Sequence, residues 1–146
     1  MLDTIKGLDD ELTKYLADDP VRPTIPKDSR LGDHKDVFVW KNADKIEAVT
    51  CVSYQTDVPT TESELFEVTE PHVAIFYTIW SYAPGAGRKL LRNAVEHIKA
   101  NNANIDRFVT LSPKTDMAYK FHIRNGAVVL RENTDTVNYE YRLEKK

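Results

Sequence analysis

The sequence has 146 residues, 41% of them hydrophobic and 29% charged, which is the composition of a single globular domain spanning residues 1–146. Its formal net charge of -3 argues against nucleic acid as the main partner, because proteins that bind the phosphate backbone usually carry a basic excess. One cysteine, Cys51, excludes an internal disulfide, and no apolar run has the length of a membrane span. We therefore expect a cytoplasmic protein without a membrane partner.

The first third of the sequence predicts a helix and then a pair of strands. Apolar residues at three- and four-residue spacing indicate a helix over Met1–Asp19, with Asp3 as its N-cap. Three prolines between positions 20 and 26 then predict a linker that cannot be helical. The segments Asp36–Trp40 and Ile46–Gln55 are rich in β-branched and aromatic residues, and predict a hairpin.

An acidic segment, Val58–Glu70, separates this hairpin from the rest of the chain. Leu65 and Phe66 are the residues that would anchor a short helix or loop there. Because no histidine is interleaved with the carboxylates, we interpret the segment as solvated surface and predict no metal site.

The central stretch predicts a strand, a glycine-bearing turn and a helix. Val73–Trp80 is apolar throughout, which is typical of a strand covered on both faces. The turn Tyr82–Gly87 follows, and then apolar residues recur at helical spacing as far as Ile98. A glycine-bearing turn before a helix N-terminus directs backbone N–H groups at one point and favours an anion there. We expect a diphosphate to be held by Gly85, Ala86, Gly87, Arg88 and Lys89.

The last third predicts a strand over Arg107–Leu111, ended by Ser112-Pro113. A short helix begins with Thr115 or Asp116 as its cap and ends at Gly126. Two strands, Ala127–Arg131 and Val137–Leu143, complete an α/β domain in which helices cover a mixed sheet.

This order of elements resembles the GNAT superfamily of acyl-CoA-dependent acyltransferases. The turn Tyr82–Gly87 fits the family's loop of Gln or Arg, two residues, Gly, one residue, and Gly or Ala, except that Tyr82 replaces the first residue. Ala118–Ala127 parallels a later family motif, with His122 where that motif usually has a tyrosine. The resemblance implies a mixed, mostly antiparallel central sheet with helices on both faces.

A closer resemblance within that superfamily is to the catalytic domain of malonyl-CoA decarboxylase. It is carried by four blocks that come in that family's order: VAIFYTI at Val73–Ile79, RFVTLSP at Arg107–Pro113, FHIRNGA at Phe121–Ala127 and VNYEYRL at Val137–Leu143. The family's catalytic serine and histidine correspond here to Ser112 and His122. Only residues 114–120 separate the second block from the third, where the decarboxylases have a long insertion.

The resemblance implies acyl-CoA as the substrate and no metal. The thioester would lie against the Val73–Trp80 strand near Ile79 and Trp80, with its pantetheine arm between this strand and Arg107–Leu111. In decarboxylation, Ser112 would orient the departing carboxylate. His122, at its ordinary pKa of about 6.5, would supply the proton.

Two alternatives remain open. The first is N-acyl transfer to an amine, with His122 as base or acid and Tyr119, Tyr77 or Tyr139 protonating the departing thiolate. The second is a catalytically silent module that binds CoA. Hydrolysis is the weakest interpretation, because the sequence places no carboxylate to orient the histidine. A homodimer is compatible with the sequence but not indicated by it.

Overall fold

The computed structural model describes residues 1–5, 7, 11–66, 70–102 and 104–141. Within these residues, one sheet of eight strands is accompanied by two α-helices and three 3-10 helices. The strands are β1 (Leu2–Thr4), β2 (Lys35–Asn42), β3 (Lys45–Gln55), β4 (Val73–Ser81), β5 (Arg107–Thr110), β6 (Ser112–Pro113), β7 (Ala127–Glu132) and β8 (Thr136–Tyr141). The helices are α1 (Ala86–Asn101) and α2 (Asp116–Arg124), with 3-10 helices at Glu11–Asp18, Lys27–Ser29 and Glu62–Phe66. None of these described helices combines the length and apolar character that crossing a bilayer requires.

The sheet is mixed and mostly antiparallel, as expected. β1 to β4 form an antiparallel meander, and β4 then pairs with β5 in parallel. β8 pairs antiparallel with β5, β6 and β7. The parallel pair is joined through α1, as a parallel crossover requires. β4 therefore lies in the middle of the sheet, as its continuous apolar run predicted.

The two faces of the sheet have separate cores. On one face, α1 contributes an apolar stripe made of Leu90, Leu91, Ala94, Val95 and Ile98. On the other face, the chain between residues 12 and 30 and the 3-10 helix Glu62–Phe66 cover the strands, and Leu65 is fully buried there. Helices thus lie on both faces, as expected, although those on the second face are of the 3-10 type.

The predicted helix over Met1–Asp19 is largely wrong. Leu2–Thr4 forms the edge strand β1, paired with Phe38–Trp40, because the edge of β2 satisfies its backbone hydrogen-bonding groups. Asp3 caps no helix, and instead its carboxylate accepts a hydrogen bond from the next backbone N–H. Among the described residues of this segment, helical structure is present only at Glu11–Asp18, as a 3-10 helix, and residues 6 and 8–10 of the predicted helix lie outside the described part.

The other predicted helices and strands are confirmed, with ends shifted by a few residues. Thr115 caps α2 by accepting a hydrogen bond from Ala118 N at 3.2 Å, and Gly126 ends the helix with a φ of 98°. The two-residue strand β6 was not predicted, and it forms because Ser112 and Pro113 pair with β8. Residues 67–69 and 142–143, which also belong to predicted segments, lie outside the described residues.

Candidate active site

β4 and β5 run side by side only over their first residues. Their ladder ends at the pair Phe76–Thr110, and one further hydrogen bond joins Leu111 N to Phe76 O at 3.1 Å. From Tyr77 onward, β4 pairs with β3 alone among the described strands. The register of β4 against β3 also shifts at Tyr77, which is the mark of a β-bulge. The two parallel strands therefore diverge at this point.

A cavity of about 330 Å³ lies in the split between β4 and β5. Its walls are the second half of β4, the first turn of α1, the residues after β5 and the inner side of α2, and Pro20 and Val21 contribute from the N-terminal segment. A mostly apolar cavity with a few convergent polar groups is typical of a ligand site. Of the residues predicted for the site, the cavity brings together Ile79, Trp80, Gly87, Ser112 and His122.

Ser112 and His122 contact each other inside this cavity. The distance from Ser112 Oγ to His122 Nε2 is 3.2 Å, and Ser112 Oγ also donates to Thr110 Oγ1 at 2.8 Å. On its other side, His122 Nδ1 lies 2.6 Å from the hydroxyl of Tyr141. Ser112 and His122 are each only 4% exposed, so the pair is shielded from bulk water. β6 fixes the serine and the capped helix α2 fixes the histidine.

Burial determines the ionisation of His122 and Tyr141. It lowers the pKa of His122 to about 4 and raises the pKa of Tyr141. The imidazole is therefore neutral at pH 7, so the expectation that His122 titrates near 6.5 is wrong. Because Ser112 Oγ gives its proton to Thr110 Oγ1, it can only accept from His122, so the ring proton lies on Nε2 and Nδ1 accepts from the Tyr141 hydroxyl.

Tyr141 contacts His122 and so belongs to the candidate site, although the sequence did not predict it. Tyr139 and Tyr141 are two residues apart on β8, so their side chains lie on the same face of the strand. Both contact the His122 ring. Tyr139 stacks on it, with ring centroids 5.0 Å apart. The two-residue spacing within the VNYEYRL block was the signal that could have identified Tyr141.

The other predicted tyrosines lie farther from Ser112 and His122. Tyr119 is 50% exposed on α2, with its ring 6.4 Å from that of Tyr139. The Tyr77 hydroxyl is buried in the core of the opposite face, beside Cys51 and without a hydrogen bond of normal geometry. Burial raises the pKa of the Cys51 thiol to about 12, so this thiol is inert at neutral pH.

The glycine-bearing turn leads directly into α1 at the edge of the cavity. Gly85 has a φ of 77°, a left-handed conformation, and no side chain caps the helix. No described residue accepts a hydrogen bond from Gly87 N or Arg88 N, so these first-turn donors are available to a ligand. The Arg88 and Lys89 side chains are exposed beside them, and Ala86 is buried.

Tyr82, which stands where the family's loop has Gln or Arg, is directed away from the turn. Its hydroxyl accepts a hydrogen bond from Trp80 Nε1 at 3.1 Å and donates to Asp18 at 2.7 Å. Tyr82 therefore ties β4 to the N-terminal 3-10 helix.

The segment predicted as a proline linker is instead fixed by a buried ion pair. Asp19 and Arg30 form a salt bridge of 2.7 Å, with their side chains 0% and 1% exposed. Asp19 also accepts hydrogen bonds from Val21 N, Arg22 N and the Thr78 hydroxyl, which attaches the segment to β4. The Asp19-Pro20 step was a turn signal in the sequence, but nothing there identified its distant partners.

Arg22 reaches from this segment into the split. Its Nε donates to the backbone oxygen of Tyr77 at 2.8 Å, and its Nη2 donates to that of Leu111 at 2.9 Å. Its Nη1 forms a salt bridge of 3.1 Å with Glu62. The guanidinium thus joins the two diverging strands.

Among the described residues, no group of three or more histidines, cysteines or carboxylates could hold a metal ion.

No protein-family model and no curated protein matches the chain. Among solved structures, malonyl-CoA decarboxylase from Agrobacterium vitis matches with a TM-score of 0.82 and 16% identity, over 99% of this chain and 60% of that one. The IAA acetyltransferase from Bacillus cereus matches with a TM-score of 0.68 and 13% identity, over 98% of this chain and 99% of that one. An acetyltransferase from Bacillus subtilis in complex with CoA matches with a TM-score of 0.59 and 15% identity, over 98% of each chain.

These matches show that the chain has a GNAT-like fold, as the sequence resemblance implied. Malonyl-CoA decarboxylase and acetyltransferases are both among its structural neighbours. The chain spans 60% of the length of the matched decarboxylase.

Proposed function

We propose that the chain binds an acyl-CoA thioester in the β4–β5 split and decarboxylates a malonyl-type acyl group with Ser112 and His122. The observation that carries the proposal is the buried hydrogen bond between Ser112 and His122, inside a cavity between diverging strands. Further support comes from the similarity to a malonyl-CoA decarboxylase and to an acetyltransferase that is in complex with CoA.

CoA would bind with its diphosphate at the start of α1. The N–H groups of Gly87 and Arg88 would donate to the phosphates, and Arg88 and Lys89 would add positive charge. The pantetheine arm would extend along β4 past Tyr77, where β5 no longer pairs with it, and so continue the hydrogen bonding of the sheet. The acyl group would then reach Ser112 and His122.

Decarboxylation breaks the bond between the carboxylate carbon and the α-carbon of the acyl group. The bonding electrons pass into the thioester as an enolate, CO₂ leaves, and the α-carbon takes up one proton. The apolar walls desolvate the carboxylate and so favour its loss as neutral CO₂. The Ser112 hydroxyl would turn its proton from Thr110 to the carboxylate and so orient the carboxylate for departure.

A neutral His122 would supply the proton from Nε2. As that proton leaves, the Tyr141 hydroxyl can transfer its own proton to Nδ1, and solvent would restore the phenol. The ring would therefore pass through neither an imidazolate nor an imidazolium ion, and its buried position disfavours the charged imidazolium. Overall, a malonyl thioester and one proton give an acetyl thioester and CO₂.

N-acyl transfer is the second candidate, and a neighbouring acidic cavity favours it. That cavity contains Glu62, Glu132 and Asp135, which would attract a cationic amine. In this reaction a neutral His122 would carry its ring proton on Nδ1, so that Nε2 could act as the base for that amine, with Tyr119 as a candidate to protonate the thiolate.

Incubation with malonyl-CoA and no acceptor tests the proposal. Wild type should yield acetyl-CoA and CO₂, and His122→Gln and Ser112→Ala should lower turnover by about a hundredfold or more. His97→Gln, at an exposed histidine of α1, is the matched control and should retain the wild-type rate. Turnover only with an added amine would favour acyl transfer, and CoA binding without turnover would indicate a silent module. Full activity in both site variants would exclude the Ser–His pair.

A further inference from the structure

A second, polar cavity lies next to the site, and Arg22 forms the partition between the two. The polar cavity is lined by Arg22, Thr60, Glu62, Glu132, Asp135 and Thr136. Tyr77 and Leu111, whose backbone oxygens accept hydrogen bonds from Arg22, line the apolar cavity instead. The guanidinium group therefore separates the space around Ser112 and His122 from the acidic space on its other side.

Several hydrogen bonds hold the Arg22 side chain in place. Arg22 donates to the carbonyl of Tyr77 in β4, to that of Leu111 just after β5, and to the Glu62 carboxylate, so each of its three side-chain nitrogens has a partner. Behind it, Asp19 accepts a hydrogen bond from Arg22 N and is itself paired with the buried Arg30. The Arg22 side chain is only 11% exposed. Moving it would leave two backbone carbonyls and one carboxylate without their donor.

The walls of the polar cavity are tied together as well. Thr136 Oγ1 donates to Thr60 O at 2.7 Å, and Asn138 Nδ2 donates to Pro59 O at 3.0 Å. These bonds hold the loop before the 3-10 helix Glu62–Phe66 against β8. Thr136, which lines the polar cavity, also pairs with Pro113, which lines the apolar cavity. The two cavities are therefore neighbours across this strand pair.

We propose that Arg22 is a specificity-determining plug, which keeps amine nucleophiles in the polar cavity away from a thioester bound beside Ser112 and His122. The inference rests on the proposed binding of acyl-CoA in the β4–β5 split. The guanidinium spans the gap between Tyr77 of β4 and Leu111 just after β5, and its positive charge repels an ammonium group drawn in by Glu132 and Asp135. A thioester shielded by Arg22 can undergo only a reaction within its own acyl group, such as decarboxylation.

Without the plug, an amine could reach the thioester carbonyl. Its nitrogen would form a bond to the carbonyl carbon and the carbon–sulfur bond would break. The proton lost by nitrogen would go to the thiolate, which leaves as CoA. Arg22 would in this way separate a decarboxylase from an acyltransferase on the same fold.

Hydroxylamine with acetyl-CoA is the test, because hydroxylamine is small, uncharged at neutral pH and gives a measurable hydroxamate. Arg22→Ala should form acetohydroxamate at least tenfold faster than wild type, after subtraction of the uncatalysed rate. Arg22→Gln, which keeps one donor but leaves a gap, should show a smaller gain. A gain is informative because a purely structural loss would lower every activity.

Arg107→Gln is the matched control. Arg107 also pairs with a glutamate, Glu140 at 2.8 Å, but it lies at the opposite end of β5 from the split. It should match the wild-type hydroxamate rate. Thermal unfolding of each variant identifies those that fold, and Arg22→Gln decides the question if Arg22→Ala does not fold.

The outcomes separate this inference from the proposed function. Hydroxamate gained by the Arg22 variants supports the plug even if malonyl-CoA yields no CO₂, in which case only the decarboxylase proposal fails. Equal hydroxamate rates in wild type and both Arg22 variants overturn the plug, whatever happens to malonyl-CoA. A gain of the same size in Arg107→Gln also overturns it.

Discussion

The two halves of the candidate site are built in opposite ways. The proposed phosphate half is one continuous stretch, from the Gly85 turn through the first turn of α1, and its cations are exposed. The proposed reacting half joins remote segments through hydrogen bonds between Ser112, His122 and Tyr141, and Arg22 joins the two strands beside them. The phosphate half therefore depends on local backbone geometry, whereas the reacting half depends on tertiary contacts that are costly to break.

The largest effect is expected from the ion pair that fixes the N-terminal wall of the reacting half. Asp19→Ala leaves the fully buried Arg30 without its carboxylate, and should lower the free energy of unfolding by about 3–5 kcal/mol. Urea unfolding followed by circular dichroism measures the loss. Glu140→Gln, at the partly exposed pair with Arg107, is the control and should cost about 1 kcal/mol or less. Similar losses in the two variants would contradict a special role for the buried pair.

The sequence predicts the phosphate half well because the features of this half are local. The apolar run of β4, the helical spacing of α1 and the left-handed Gly85 turn are each encoded within a few neighbouring residues. Periodicity also shows which side of an element is apolar, so both covered faces of β4 were foreseen.

The reacting half was predicted only where a family resemblance pointed to Ser112 and His122. The partners of buried polar groups depend on which distant segments approach each other, and that information is not local. Asp19 meets Thr78 across 59 residues, and Arg22 meets Leu111 across 89. The low pKa of His122 likewise follows from burial, which the sequence of a short amphipathic helix does not reveal.

A change in pH should have an intermediate effect on the free energy of unfolding, because the reacting half buries an imidazole and the phosphate half does not. The pKa of His122 is about 4 in the folded chain against 6.5 for an exposed histidine, so the unfolded chain binds more protons between these values. This contribution to stability is complete above about pH 6.5 and is lost as the pH falls toward 4. At 1.36 kcal/mol per pH unit it amounts to roughly 3 kcal/mol.

His122→Gln isolates that contribution from all other titrating groups. Urea unfolding of wild type and of the variant should be compared at pH 7 and at pH 4.5. Wild type should lose more stability than the variant over this interval, by about 2–3 kcal/mol. Parallel losses would mean that His122 is not the group responsible.

The smallest effect is expected in the phosphate half, where the charges are exposed. Replacing both Arg88 and Lys89 by Gln should weaken CoA binding by about 1 kcal/mol, or roughly fivefold, with little change in stability. Calorimetric titration with CoA measures this loss, and raising the salt concentration should shrink it because exposed charges are screened. Lys99→Gln, in the last turn of the same helix, removes a positive charge far from the turn and should bind CoA as wild type does. If Lys99→Gln loses as much affinity as the double variant, the phosphates respond to overall charge, and the N-terminus of α1 is not their site.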